Sequence, residues 1–127
     1  MQSRYYDPIA CNSELYATLC KSIEELNNSC PVELQKGLII KNVYVNKKYV
    51  TFHQVFTNEG DVKYKDAEKV FRKELRLSKQ ILKKTALDSN PDFADALETL
   101  NLGLEFYNYD GNNSGKYFRV VIEPSEL

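Results

Sequence analysis

The stretch GLEFYNYDGNNSGKYFRVVIEP, residues 103 to 124, constrains the fold more than any other. Leu104 and Phe106 alternate with Glu105, Tyr107 and Tyr109, and after a polar interval Phe118, Val120 and Ile122 alternate with Tyr117, Arg119, Val121 and Glu123. Successive side chains of a strand point to opposite faces, so this alternation predicts two strands, each with one buried and one wet side. Asp110 to Gly115 consists of turn formers, which makes the pair a β-hairpin, and Pro124 ends it. With the aliphatic and phenylalanine set turned to a core, Tyr107, Tyr109 and Tyr117 are forced onto the opposite face.

A second hairpin precedes it. Residues 37 to 45, GLIIKNVYV, and 49 to 57, YVTFHQVFT, are rich in β-branched and aromatic residues and flank the polar tripeptide Asn46, Lys47, Lys48. Val50, Phe52 and Phe56 form the better core face, against Tyr49, Thr51, His53 and Val55. The two hairpins together turn Tyr49, Thr51, His53, Tyr107, Tyr109, Tyr117 and Arg119 to one outer side. Tyrosine and arginine are enriched where one protein grips another, so Tyr49, His53, Tyr107, Tyr109, Tyr117 and Arg119 form the candidate partner-binding surface. The competing reading is ordinary cross-strand tyrosine pairing on a half-wet sheet.

Helical spacing fills the rest of the chain. From Asn12 to Asn28, Leu15, Leu19, Ile23 and Leu26 recur on one stripe, and Cys30-Pro31 stops the helix. A long helix over 62–84 carries Tyr64, Ala67, Phe71, Leu75, Ser78 and Leu82 on its core stripe, widened by Val70, Leu77 and Ile81. Asn90 with Pro91 starts a short third helix to about residue 101, with Gly103 as terminator. The order is α-β-β-α-α-β-β. It predicts an α+β two-layer sandwich in which an antiparallel four-stranded sheet of two hairpins carries helices on one face. The chain of 127 residues has room for one such domain, with residues 1–11 as an extended N-terminal arm.

Composition narrows the function. A net charge of −1 argues against a whole-surface nucleic-acid binder, and no run approaches the ~18 apolar residues of a membrane span. The positive charge is concentrated: residues 63 to 84 hold nine basic and three acidic residues, a net of +6, leaving the remainder near −7. On a straight helix Lys65, Lys69, Arg72, Arg76, Lys79 and Lys83 share one stripe about 30 Å long. Such a rail is the alternative site, for nucleic-acid phosphates, anionic headgroups or an acidic partner, against a merely solvated helix face.

Catalytic and metal chemistry find little support. His53 is the only imidazole, and the three cysteines, Cys11, Cys20 and Cys30, lie on or beside the first helix. Nothing in the sequence brings them to His53 as a nucleophile and base. The cysteine spacing lacks any metal-ligand pattern and, on an intact helix, keeps every pair beyond the ~7 Å of a disulfide. Glu24 with Glu25, and Asp92 with Asp95, read as solvated helix carboxylates, and YDGNNSGK lacks the spacing of a phosphate loop. The expectation is no enzyme, no metal and no cofactor.

The run ELNNSCPVEL, then GLIIKNVYVNKKYVTFHQVFTNEG, and the closing GLEFYNYDGNNSGKYFRVVIEPSEL resemble a group of small Bacteroidetes-type exported domains of uncharacterised function, over most of the chain. The resemblance implies a periplasmic or cell-surface setting. The opening MQSRYYDPIA, which lacks the apolar stretch of a secretory signal, reads instead as cytoplasmic or as a mature fragment. The leading functional expectation is a non-enzymatic domain that recognises another protein, or a second copy of itself, through the tyrosine face. The alternative is a polyanion binder using the basic helix.

Overall fold

A computed structural model describes residues 6–88 and 90–127. Its elements run α1 (Pro8–Cys11), α2 (Ser13–Asn28), β1 (Val32–Gln35), β2 (Leu38–Val45), β3 (Tyr49–Phe56), α3 (Tyr64–Lys73), α4 (Leu75–Leu87), α5 (Pro91–Leu100), β4 (Gly103–Asp110) and β5 (Asn113–Ile122), closed by a 3-10 turn at Pro124–Glu126. The architecture is α+β, with the helices packed on one face of a single sheet.

That sheet has five strands in the order β1-β2-β3-β4-β5, not four. The added strand, β1, is short and mostly exposed; VELQ offers too few apolar residues to stand out, yet it pairs antiparallel with β2 at the sheet edge. The expected all-antiparallel pairing also fails at the centre, where β3 and β4 run parallel from Tyr49↔Gly103 to Phe56↔Asp110. The reason lies in the connection. Parallel neighbours need a long crossover, and α3, α4 and α5 carry the chain from the end of β3 back to the level where β3 began.

The predicted long helix is two helices. The chain breaks at Glu74, whose backbone (φ −140°, ψ 72°) lies outside the helical region. A straight helix over this stretch would measure about 36 Å, whereas eight-residue strands span about 26 Å. The break lets both pieces lie on the sheet. Tyr64 and Phe71 of α3 pack on Phe118, with ring centroids at 5.6 and 4.8 Å, and Leu82 of α4 joins the same core. Leu75, Leu77 and Ile81, which helical spacing assigns to the core stripe, are instead exposed.

Smaller departures have local causes. Residues 1–5 of the expected extended arm lie outside the described residues, but Pro8–Cys11 form a helical turn. Asp7 caps it, its Oδ1 accepting from the amides of Ile9 (3.1 Å) and Ala10 (3.2 Å), with Pro8 at the first helical position. Ile9 packs against the core on the helix side, away from the outer sheet face. Asn101, in the left-handed region at φ 54°, ends α5, and Gly103 already belongs to β4. The last hairpin turns more tightly than expected, through Gly111 and Asn112, because the Gly111 amide donates to the Phe56 carbonyl at 2.8 Å. A Cβ on Gly111 would stand 2.7 Å from that oxygen.

A bulge in β2 decides which of its side chains reach each face of the sheet. The β2–β3 register slips between Ile40 and Asn42, so Leu38 and Ile40 face the core, and beyond the slip Val43 and Val45 do. One extra residue inverts the alternation. The Val43 amide donates to Asn27 Oδ1 of α2 at 3.1 Å, which pins the helix to the strand just past the irregularity. The core itself gathers Leu19 and Ile23 of α2, Leu97 and Leu100 of α5, and Val50, Phe52, Leu104, Phe106, Phe118, Val120 and Ile122 of the sheet.

Candidate functional site

Strand alternation leaves one sheet face turned away from every described helix. Across it, register places Asn42, His53, Tyr107 and Arg119 in one row, and Tyr109 beside Tyr117 in the next. The parallel β3–β4 pairing is what sets His53 level with Tyr107: their rings stack with centroids 4.7 Å apart and planes 9° from parallel. Tyr109 lies 5.6 Å from His53 and 5.6 Å from Tyr117 between centroids. Tyr107 stands 6.1 Å from Tyr117, and the Arg119 guanidinium lies over the Tyr107 ring at 5.8 Å, within cation–π range.

Of the six expected residues, the structure brings His53, Tyr107, Tyr109, Tyr117 and Arg119 into this cluster. Tyr49 sits apart, at the other end of β3 beside Gly103. Its ring occupies the space a side chain would need there: a Cβ on Gly103 would lie 3.0 Å from the Tyr49 ring and 2.4 Å from the Ile122 carbonyl oxygen. The Tyr49 hydroxyl donates to the Glu123 carboxylate, and this bond holds the phenol above its usual range.

Two members of the face were not singled out from sequence. Tyr44, 47% exposed, reaches it only because of the β2 bulge, and its hydroxyl sits 2.7 Å from His53 Nε2. The signal was the alternation of Val43 and Val45 around Tyr44, once counted past the bulge. Glu105, almost fully buried, accepts from Thr51 Oγ1 at 2.7 Å and from Arg119 Nε at 2.6 Å. Arg119 Nη2 approaches the same carboxylate, and the hydrogen bond raises the arginine further above its ordinary range.

His53 is clamped on both ring nitrogens, Nε2 by Tyr44 and Nδ1 by the Tyr109 hydroxyl at 2.8 Å. A neutral ring donates at one nitrogen and accepts at the other, and a hydroxyl can serve either role. Burial lowers the His53 pKa, the Glu105 carboxylate pulls it up, and Lys41 pushes it down again. Burial likewise raises Tyr44 and Tyr109. The result is an uncharged, hydroxyl-studded aromatic plateau, with one paired arginine at its border. Such a surface offers area and hydrogen-bonding tips. The three cysteines are free, and Cys20 and Cys30 lie on the helix side, so the sheet stands between them and His53.

The alternative basic stripe is divided between two helices. Lys65, Lys69 and Arg72 belong to α3, and Arg76, Lys79 and Lys83 to α4, beyond the Glu74 break. Several of its charges are also engaged internally. Lys79 pairs with the Glu126 carboxylate at 2.9 Å, Lys83 Nζ donates to the Glu126 carbonyl at 3.0 Å, and Arg72 pairs with Glu68 at 3.3 Å. Lys65, Lys69 and Arg76 remain exposed. Among the described residues, no helix is long and apolar enough to cross a membrane.

No protein-family model and no curated protein matches this sequence. Two solved structures share its fold. The pilotin EpsS of the Vibrio vulnificus type 2 secretion system superposes with a TM-score of 0.59 at 10% identity, covering 90% of this chain and 92% of the pilotin. A Pseudomonas aeruginosa protein described as a candidate secreted protein superposes with a TM-score of 0.62 at 14% identity, covering 91% of this chain and 94% of that one.

Proposed function

We propose that this chain is a non-enzymatic recognition domain, acting outside the cytoplasm, that holds another protein or a second copy of itself against the outer face of its sheet. The observation that carries this reading is the contiguous plateau of Tyr44, His53, Tyr107, Tyr109 and Tyr117, bordered by Arg119 and lying clear of the helices. Rigid aromatic side chains lose little conformational freedom on binding, and their hydroxyls supply directional contacts at low cost. The rings here are already held by stacking and by the His53 bridge. The fold shared with a pilotin and with a candidate secreted protein supports both the binding role and the exported setting. Against an enzymatic role stands the saturation of His53 by two tyrosine hydroxyls.

The test places a photo-reactive residue at position 117 and identifies the covalently captured species. One defined protein, or a second copy of the chain, is the expected product, and Tyr107→Ala should abolish it while the thermal melt stays unchanged. Capture that survives Tyr107→Ala would move the site elsewhere.

A further inference from the structure

On the opposite side of the sheet, between α2, the strands and the start of α5, lies an open cleft of about 860 Å³. A cleft of this size falls within the roughly 300–1,000 Å³ of small-molecule pockets. Its walls are mainly hydrocarbon, Leu15, Leu19 and Ile23 of α2, Ile40 and Phe52 of the sheet, and Phe93 of α5, with Thr18, Gln35 and Thr85 among them. At the sheet wall stands Gln54, 2% exposed, whose amide nitrogen has no hydrogen-bond partner. A buried amide donor without an acceptor is rare and calls for an explanation. Rotation about the terminal torsion of glutamine is soft, so the amide can turn its donor toward an occupant. Among the described residues lining the cleft, the one charged side chain is Asp92, which disfavours an anionic headgroup.

We infer that this cleft binds an uncharged, largely apolar small molecule carrying a carbonyl oxygen, held by the hydrocarbon walls and by a hydrogen bond from the Gln54 amide. The site lies across the sheet from the tyrosine plateau and is independent of the function proposed for it. One neighbour bears on Gln54. Asn108, its register partner on β4, also has an unpartnered buried atom, Oδ1, and the two amides serving each other is the rival explanation.

Titration of the full chain with Nile red, an uncharged apolar dye with a carbonyl group, tests the inference. The dye is displaced by decanamide and by decanoate at pH 8, where the second competitor is ionised. Saturable binding at one dye per chain is expected, with decanamide at least tenfold more effective than decanoate. Ser22 is exposed on the α2 wall of the cleft. Ser22→Trp should therefore remove dye binding and leave the melting temperature unchanged. Gln54→Met should weaken the dye and decanamide each about fivefold, the worth of one hydrogen bond, with both still bound. Five results would overturn the inference: binding that does not saturate, binding that ignores Ser22→Trp, equal competition by decanoate, displacement by an amphipathic peptide but not by decanamide, or a decanamide affinity unaltered by Gln54→Met. The last would assign the amide to Asn108.

Discussion

The two faces of β4 are built from neighbouring residues, yet they do different physical work. Leu104 and Phe106 are buried against the helices, and the Phe106 ring stacks on Phe52 at 5.1 Å. Tyr107 and Tyr109 project the other way, half-buried by each other, by His53, by Tyr117 and, over Tyr107, by Arg119. On the inner face stability comes from hydrocarbon removed from water and from close packing. On the outer face the rings stack against one another and against His53 while Tyr44 and Tyr117 stay about half exposed, so less hydrocarbon is removed from water there. A surface that contributes little to folding can hold residues chosen for contact with something else. On the proposed reading, positions that keep the chain folded are separate from positions that decide what it holds.

The largest effect should fall on the inner face. Phe106→Ala removes a ring packed on Phe52 and should cost about 3–5 kcal/mol, read as a shift in the urea midpoint. A loss below 1 kcal/mol would mean that the helices do not close on this face as described. The next effect lies on the outer face, where one buried charge blurs the division. Arg119→Met leaves the Glu105 carboxylate with Thr51 as its remaining protein partner and should cost about 1–3 kcal/mol. The lower end is expected, because the arginine side chain is 46% exposed. Adding Glu105→Gln to that variant should recover part of the loss; a purely additive double variant would deny the coupling.

The inner face of this hairpin was legible because Leu104, Phe106, Phe118, Val120 and Ile122 repeat with period two, and the placement of the outer tyrosines followed from it. Tyr44 escaped because a bulge shifts the period inside one strand, and a bulge leaves no mark in residue type. The parallel pairing of β3 and β4 escaped for a related reason: alternation is the same whichever way a strand runs. Only the three-helix return between them carried the direction. The Glu74 break was hidden because apolar residues at 64, 67, 71, 75, 78 and 82 keep helical spacing straight through it. Glu105 reads from sequence as an outer residue, but its grip on Arg119 and Thr51 depends on a register between strands that no single segment holds.

A smaller effect concerns pH. Burial holds the His53 pKa below the ordinary histidine value of 6.5, so in acid the unfolded chain takes up a proton before the folded one does. Stability from this group is complete above that value and is lost as pH falls from it through the folded pKa. A melting temperature measured across this window should fall on acidification, and His53→Gln should flatten the fall. An unchanged slope in His53→Gln would assign the acid sensitivity to other groups. The same titration charges the middle of the plateau. Recognition of an uncharged partner surface should weaken over the same range.

The smallest effect on folding is the sharpest test of the division between the two faces. Tyr117 is 53% exposed, at the rim of the plateau, and its hydroxyl is not needed to hold His53, which Tyr44 and Tyr109 clamp. Tyr117→Ala should change stability by no more than about 0.5 kcal/mol, as surface substitutions do. If the outer face is a recognition surface, the same variant should weaken partner binding at least tenfold, since tyrosine is among the residues that dominate interface energies. Equilibrium unfolding and binding measured on one preparation give both numbers. A variant that loses stability and keeps binding would reverse the assignment, making the tyrosines cross-strand supports of the sheet. One that loses binding alone would place the chemistry of recognition on residues that the fold itself can spare.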